Sequence, residues 1–373
     1  MVPMIAVTLL ATLGGGDDSA GIQQAKTSSR SLIQEAFTDR IDLLPNGGKA
    51  DGSTKETKAA IAKGLRWLQQ QQQPNGQWKM EGPYPGGGRA NDTAATAFGL
   101  LPFLYARVSH KTKNNRYAKT VLAGLVFLVR KQNPSTGDFG GGMYAQALAT
   151  TAVVQAYRLS EDPRLKRPAQ IAVNYLVRAQ HNAGGWRYRP KQSGDMSVTG
   201  WVVMALVTGR KVGLAVPKAT FTKATKFLDS VRNADEGYGY LPLGGSTYTL
   251  TAMGLLCRQH LQADDWGPSS QRVIMATKKH LKTHSPNPRL KNMYYYYYAT
   301  QVMHQLGGKE WDRWNKEMRR MLLGQQERDG SWNPQGEHHG KAGGRLMKTS
   351  LALLTLEVHY RDRLFARKGS QTK

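Results

Sequence analysis

The chain has 373 residues and a net charge of +26, with 40% apolar residues, eight tryptophans and a single cysteine. The apolar content excludes wholesale disorder, one cysteine excludes an internal disulfide or a multi-thiolate metal site, and no run approaches the roughly 20 apolar residues of a membrane span. The positive charge predicts attraction to anionic partners, a membrane surface or a phosphate among them, while no stacked Arg/aromatic pattern marks a specific nucleic-acid site.

Residues 1–54 read as a signal-like segment and a flexible linker. Val2 to Leu13 is apolar and runs into Gly14-Gly15-Gly16-Asp17, the form of an export-signal core without its basic leader. Export and a cytoplasmic location both stay open. A repeat begins at residue 55. Lys63-Gly64-Leu65-Arg66-Trp67-Leu68 leads through glutamines to Pro74-Asn75-Gly76-Gln77-Trp78. Asn174-Tyr175-Leu176 leads to Gln180 and Gly184-Gly185-Trp186, and Met321-Leu322-Leu323 leads to Gln326 and Asp329-Gly330-Ser331-Trp332. Weaker copies end at Gly137-Asp138-Phe139 and Gly237-Tyr238-Gly239-Tyr240, and the fifth copy has lost its turn aromatic. The helix after each turn starts near Asp92, Tyr144, Met196, Thr247, Met293 and Met347, at spacings of 52, 52, 51, 46 and 54 residues.

The first helix of a copy is striped, as in Ile61, Leu65, Leu68 and Gln72, whereas its partner, such as Thr93 to Val108, is apolar nearly all round. Six half-exposed outer helices, each paired with a buried inner one, predict an all-α fold: an α6/α6 toroid over residues 55–362, followed by a basic tail at 363–373. An open solenoid uses shorter repeats and does not bury one helix of every pair so completely.

Lys63, Gly64, Trp67, Gln71, Gly76 and Trp78 resemble the QW repeat of triterpene cyclases, and Gln180/Trp186 and Gln326/Trp332 match its second half. The resemblance implies the fold of the terpenoid cyclase and protein prenyltransferase superfamily, in a single-toroid, squalene–hopene-cyclase-related form. It carries the family chemistry only in part. The cyclase acid motif Asp-x-Asp-Asp-Thr-Ala stands here as Arg89-Ala90-Asn91-Asp92-Thr93-Ala94. Asp92 alone remains, as a catalytic acid or as the N-cap of an apolar helix. The prenyltransferase zinc region matches Asp195, but Ser197 and Thr247 replace its Cys and His, so Asp195 is again a catalytic candidate or a cap. Neither cofactor nor metal is implied. Cys257, within an apolar stretch, reads as a buried inert thiol.

Inner helices of a toroid run parallel, so their N-termini gather at one mouth that favours anions. Arg89, Arg187, Arg189, Lys191, Lys291, Lys341, Arg345 and Lys348 lie in or near the turns feeding it. Five consecutive tyrosines, Tyr294 to Tyr298, cannot share a helix face. Tyr294 with Tyr298, and Tyr297 with Gln301, form one stripe, with Tyr295 and Tyr296 directed elsewhere. Rings facing the cavity would hold a cation or stack on a ligand. Candidate ligand-binding residues are therefore Arg89, Arg187, Arg189, Arg345, Tyr294, Tyr297 and Tyr298. Adjacent histidines in Glu337-His338-His339 can share a metal, but a lone pair with one Glu is a weak set, and Asp264-Asp265-Trp266 falls at the wrong end for a diphosphate motif. Two functional readings stand side by side. One is a toroid that holds or acts on an apolar or phosphorylated, isoprenoid-like ligand in its central cavity. The other is a non-catalytic, exported binding toroid whose basic surface engages an anionic partner.

Overall fold

The computed structural model describes residues 54–261 and 268–361; the signal-like segment, the linker, Asp264 to Trp266 and the basic tail lie outside them. Helix α1 (Lys55–Gln71) begins where the Thr54 hydroxyl accepts a hydrogen bond from the Thr57 N–H, which satisfies one of the orphan donors of the first turn. Ile61, Leu65 and Leu68 are buried, as the stripe requires. Helix α2 (Asp92–Tyr105) is buried from Thr93 through Leu104. The pairs α3 (Ala118–Lys131) and α4 (Gly142–Ser160), α5 (Pro163–Ala179) and α6 (Met196–Lys211), α7 (Lys218–Ser230) and α8 (Tyr248–Leu261), α9 (Pro268–Thr283) and α10 (Met293–Leu306), and α11 (Gly308–Gln325) and α12 (Gly340–Leu356) complete six hairpins. Gly344 interrupts α12, so its regular part starts at Arg345. Each even-numbered helix packs on the next even one, and α12 returns to α2. The even helices form the inner ring and the odd ones the outer. Among the described residues there is no strand, only isolated bridge pairs in the turns.

The QW residues are the mortar between hairpins. The amides of Gln72, Gln180 and Gln326 each donate to the carbonyl of their own turn glycine and to a carbonyl of the next outer helix, at Thr120, Thr220 and Ala60, all at 2.8–3.0 Å. The working glutamine of the first copy is Gln72 rather than Gln71. Gln71 is the last residue of α1, and only Gln72 stands six residues before its tryptophan, as Gln180 and Gln326 do. The indoles of Trp78, Trp186 and Trp332 donate to the carbonyls of Leu68, Leu176 and Leu322 at 2.7–2.9 Å. Their backbone N–H groups donate to Thr96, Thr199 and Thr349 on the inner helix.

The turn glycines lie against the next outer helix. A Cβ on Gly184 (φ +97°) would stand 1.9 Å from the Lys223 carbonyl oxygen, and one on Gly330 (φ +96°) 2.5 Å from that of Lys63. Only glycine fits both the backbone angle and the space. Gln326 and Gly330 thus make to α1 the contacts that Gln180 and Gly184 make to α7, and the ring closes.

The fifth junction is sealed differently. The Tyr295 and Tyr296 hydroxyls donate to the carbonyls of His284 and Asn287 in its turn, at 2.7 and 2.9 Å. Trp314 of α11 donates to Thr300 at 2.9 Å. The missing turn aromatic is replaced from both neighbouring helices. Cys257 is buried, and burial pushes its thiol up to about 12.

Candidate functional site

The N-termini of the inner helices open on one end of the ring. Asn91, not Asp92, caps α2: its side chain accepts from the Ala94 N–H at 3.0 Å and donates to the Gly141 carbonyl at 3.1 Å. Asp92 is the first helical residue and only half-buried. Asp195 is fully buried and caps α6, accepting from the Val198 N–H at 2.9 Å and the Ser197 hydroxyl at 2.6 Å. Arg187 approaches Asp195 to 3.6 Å and lies near the rings of Tyr188 and Tyr240, at 5.8 and 5.7 Å. Arg89 and Arg189 are exposed.

Arg345 has a different role from the one its position in the sequence suggested. It is buried, with Nε donating to the Pro85 carbonyl at 2.9 Å and Nη1 to the Ser331 hydroxyl at 2.8 Å, while its backbone N–H donates to Gly86. It stitches the sixth turn to the first. Lys348 is likewise internal, paired with Glu337 at 2.9 Å and donating to the Asn333 carbonyl. Glu337 also accepts from the Met293 N–H at the start of α10. Among the described residues no group of three or more His, Cys, Asp or Glu side chains gathers to hold a metal.

Trp201 of α6 fills the middle of the ring. It meets Phe98 of α2, Tyr144 of α4 and Tyr294, Tyr297 and Tyr298 of α10, with centroids 5.5 to 6.2 Å away and the Tyr297 ring stacked on it. Its indole donates to the Tyr144 hydroxyl at 2.7 Å and to that of Tyr294. A side chain that touches three other inner helices lies across the opening. Tyr294, Tyr297 and Tyr298 share this cluster, while Tyr295 and Tyr296 face the fifth turn. Burial raises the Tyr144 and Tyr298 phenols well above 10, so they stay neutral.

Beyond this aromatic plug, a narrow cleft of about 70 Å³ opens among the C-terminal ends of the inner helices, lined by Tyr105, Gln155, Met204, His260, Gln301 and Arg361 with their neighbours. Arg361 follows the 3-10 turn Glu357–Tyr360. Its guanidinium lies 3.9 Å from the Tyr105 ring centroid and 5.5 Å from that of Tyr297, and its Nη1 donates to Gln301 Oε1. Its Nε and Nη2 are buried and find no hydrogen-bond partner among the described residues. Glu357 is fully buried, with neither carboxyl oxygen hydrogen-bonded among the described residues; burial raises it well above the carboxylate range, against the pull of Arg361. His260 is held at about 3 by burial first and then by Lys211, Arg361 and Arg210. The far end therefore brings together an acid whose burial favours its protonated form, a neutral imidazole and a guanidinium with two nitrogens unpartnered among the described residues. Sequence reasoning missed Arg361, Glu357 and His260. The available signal was that Gln155, His260 and Gln301 each sit in the last turns of an otherwise apolar inner helix.

No family model and no curated protein matches the sequence. Solved structures do match the fold. An inactive variant of the GH76A α-1,6-mannanase of Salegentibacter sp., in complex with α-1,6-mannotriose, superposes with a TM-score of 0.61 at 9% identity, over 81% of this chain and 98% of that one. The type II terpene cyclase MstE from Scytonema, in complex with its product merosterolic acid A, superposes with a TM-score of 0.56 at 13% identity, over 82% and 97%. The same cyclase has been seen with its substrate geranylgeranyl dihydroxybenzoate. The chain is an α/α toroid, of the fold that these two enzymes share.

Proposed function

We propose that the chain is a ligand-holding toroid, which takes an amphipathic anion into the far-end cleft with the phosphate or carboxylate on Arg361, and does not cyclise it. The observation that supports this is the pair of buried Arg361 nitrogens, Nε and Nη2, that find no partner among the described residues, on a guanidinium framed by two tyrosine rings in the wall of the cleft. A buried donor left unmade costs about 1–3 kcal/mol, and an oxyanion on the guanidinium offsets that with charge-assisted hydrogen bonds. Tyr105, Met204 and Val358 supply apolar wall for the remainder of the ligand. The substrate of the terpene cyclase neighbour, a benzoate carrying an isoprenoid chain, is of this amphipathic class. Cyclisation by protonation needs a carboxylic acid poised over the reacting alkene. Asn91 stands where the motif carries that acid, and Trp201 occupies the axis where a polyprene would fold.

Geranyl diphosphate at a hundredfold excess over its Kd is expected to stabilise the protein by about 2.7 kcal/mol. Farnesol, which lacks the anion, should not, and Arg361→Gln should lose the gain while melting near the wild-type temperature without ligand. A full ligand shift retained in Arg361→Gln overturns the proposal.

A further inference from the structure

The fourth junction keeps a turn aromatic but departs from the Gln/Trp junctions at each position that seals them. Where Trp78, Trp186 and Trp332 stand, it has Tyr238, whose N–H still donates to the inner-helix Thr251 at 3.0 Å. Six residues earlier, where Gln72, Gln180 and Gln326 reach the next hairpin, it has Arg232. Two residues before the aromatic, Gly76, Gly137, Gly184 and Gly330 occupy left-handed backbone; here Glu236 does, at φ +68°. Seven residues beyond Thr251, at the level where the other inner helices bury Phe103, Val153, Leu206, Met303 and Leu356, α8 carries Arg258, only 6% exposed.

These exchanges leave a cavity of about 500 Å³ between α7, α8 and α9. Arg258 Nε donates to the Tyr238 hydroxyl at 3.1 Å and its Nη2 to Asp229 at 2.5 Å. Arg232 donates to Glu236 at 3.1 Å, and Arg272 of α9 lies 3.5 Å from the other oxygen of the same carboxylate. Three guanidinium groups thus face two carboxylates. One of those carboxylates sits on a residue whose backbone angle disfavours any side chain. Closing the wall requires neither the strained glutamate nor the buried arginine, since four other junctions place glycine at the first position and all five bury an apolar residue at the second.

We propose that this junction is a binding site for a small dianion of the phosphate-monoester or sulfate class, and that Glu236 is a resident carboxylate the ligand displaces. With Glu236 swung out, Arg232 and Arg272 turn their forks to the ligand beside Arg258, while Asp229 stays on Arg258. Planar guanidinium forks match tetrahedral oxyanions through paired hydrogen bonds. The site is separate from the far-end cleft.

Calorimetric titration with inorganic phosphate, sulfate and phenyl phosphate at 0.15 M ionic strength tests it, in the Arg361→Gln background so that the far-end cleft does not contribute. Adding Glu236→Gly, which supplies the glycine of the other turns and removes the competing carboxylate, should tighten binding about tenfold. Adding Arg258→Phe with Tyr238→Trp instead rebuilds the apolar seal, and should abolish binding while the helical circular dichroism and cooperative melting are kept. Tighter binding of phenyl phosphate than of inorganic phosphate would assign a monoester, and equal binding a free oxyanion; both uphold the site. No binding even with Glu236→Gly, or binding unchanged by the rebuilt seal, overturns it.

Discussion

Trp332→Ala should cost about 4 kcal/mol, the range for emptying a buried tryptophan site, and lower the melting temperature by roughly 10 °C. Trp332 has no exposed surface, and its indole and backbone N–H bind Leu322 and Thr349. Its turn is the one that lies on α1, through Gln326 to Ala60 and Gly330 against Lys63. The loss therefore includes the contact between the last hairpin and the first. Trp186→Ala should cost nearly as much, because it stands at an equivalent junction with the same partners. Gln335→Ala, at an exposed position, should stay within about 0.5 kcal/mol. Chemical denaturation read by tryptophan fluorescence and circular dichroism measures all three. A Trp332→Ala protein within 1 kcal/mol of wild type would mean that the ring is not held shut there.

Stability should peak between about pH 4.5 and 6.5 as far as the far-end cluster determines it. Glu357, near 4.5 in the unfolded chain, is raised when folded. The folded state then holds a proton that the unfolded state has released, so stability falls as pH rises above about 4.5 until the folded group also ionises. His260 works in the opposite direction. Its folded value of about 3 lies below the unfolded 6.5, so the unfolded state binds the extra proton and stability falls as pH drops below 6.5. Each limb has a slope of at most about 1.4 kcal/mol per pH unit. Glu357→Gln should flatten the alkaline limb and raise stability at pH 8, and His260→Gln should flatten the acid limb. Denaturant midpoints at pH 4, 5.5 and 8 provide the measurement. An alkaline slope that persists in Glu357→Gln would place its origin elsewhere.

The hairpin count and the inner and outer roles of the helices were legible because the hairpin repeats six times, and the mortar residues because the Gln/Trp pair recurs three times at fixed spacing. Repetition averages out local ambiguity, and even the split of the tyrosine run followed from helical geometry. The details that failed were single events. Gln71 and Gln72 are adjacent in a run of glutamines, and only the distance to Trp78 tells them apart. Asn91 and Asp92 are both good caps, and the choice depends on which residue leaves helical backbone first. Arg345 was placed at the mouth because charge in a turn usually faces water; here it finds the Pro85 carbonyl and Ser331 hydroxyl, partners 260 and 14 residues away. The far-end cluster was hidden for a related reason. Glu357, Arg361 and His260 come from two chain segments about a hundred residues apart and meet only because α12 lands beside the ends of its neighbours.

Closure through Gln326 and Ala60 has a topological consequence. In a cycle of like units, each hairpin needs only the two beside it, and the polypeptide ends interrupt the cycle at one of six comparable far-end crossings. Joining residue 361 to residue 55 by a flexible linker and reopening the chain at Gly213, in the crossing between α6 and α7 where added side-chain volume meets nothing within 4 Å, would leave every junction with its partner. Which hairpin is numbered first is then an accident of transcription order, and what the sequence encodes is a relation between neighbours.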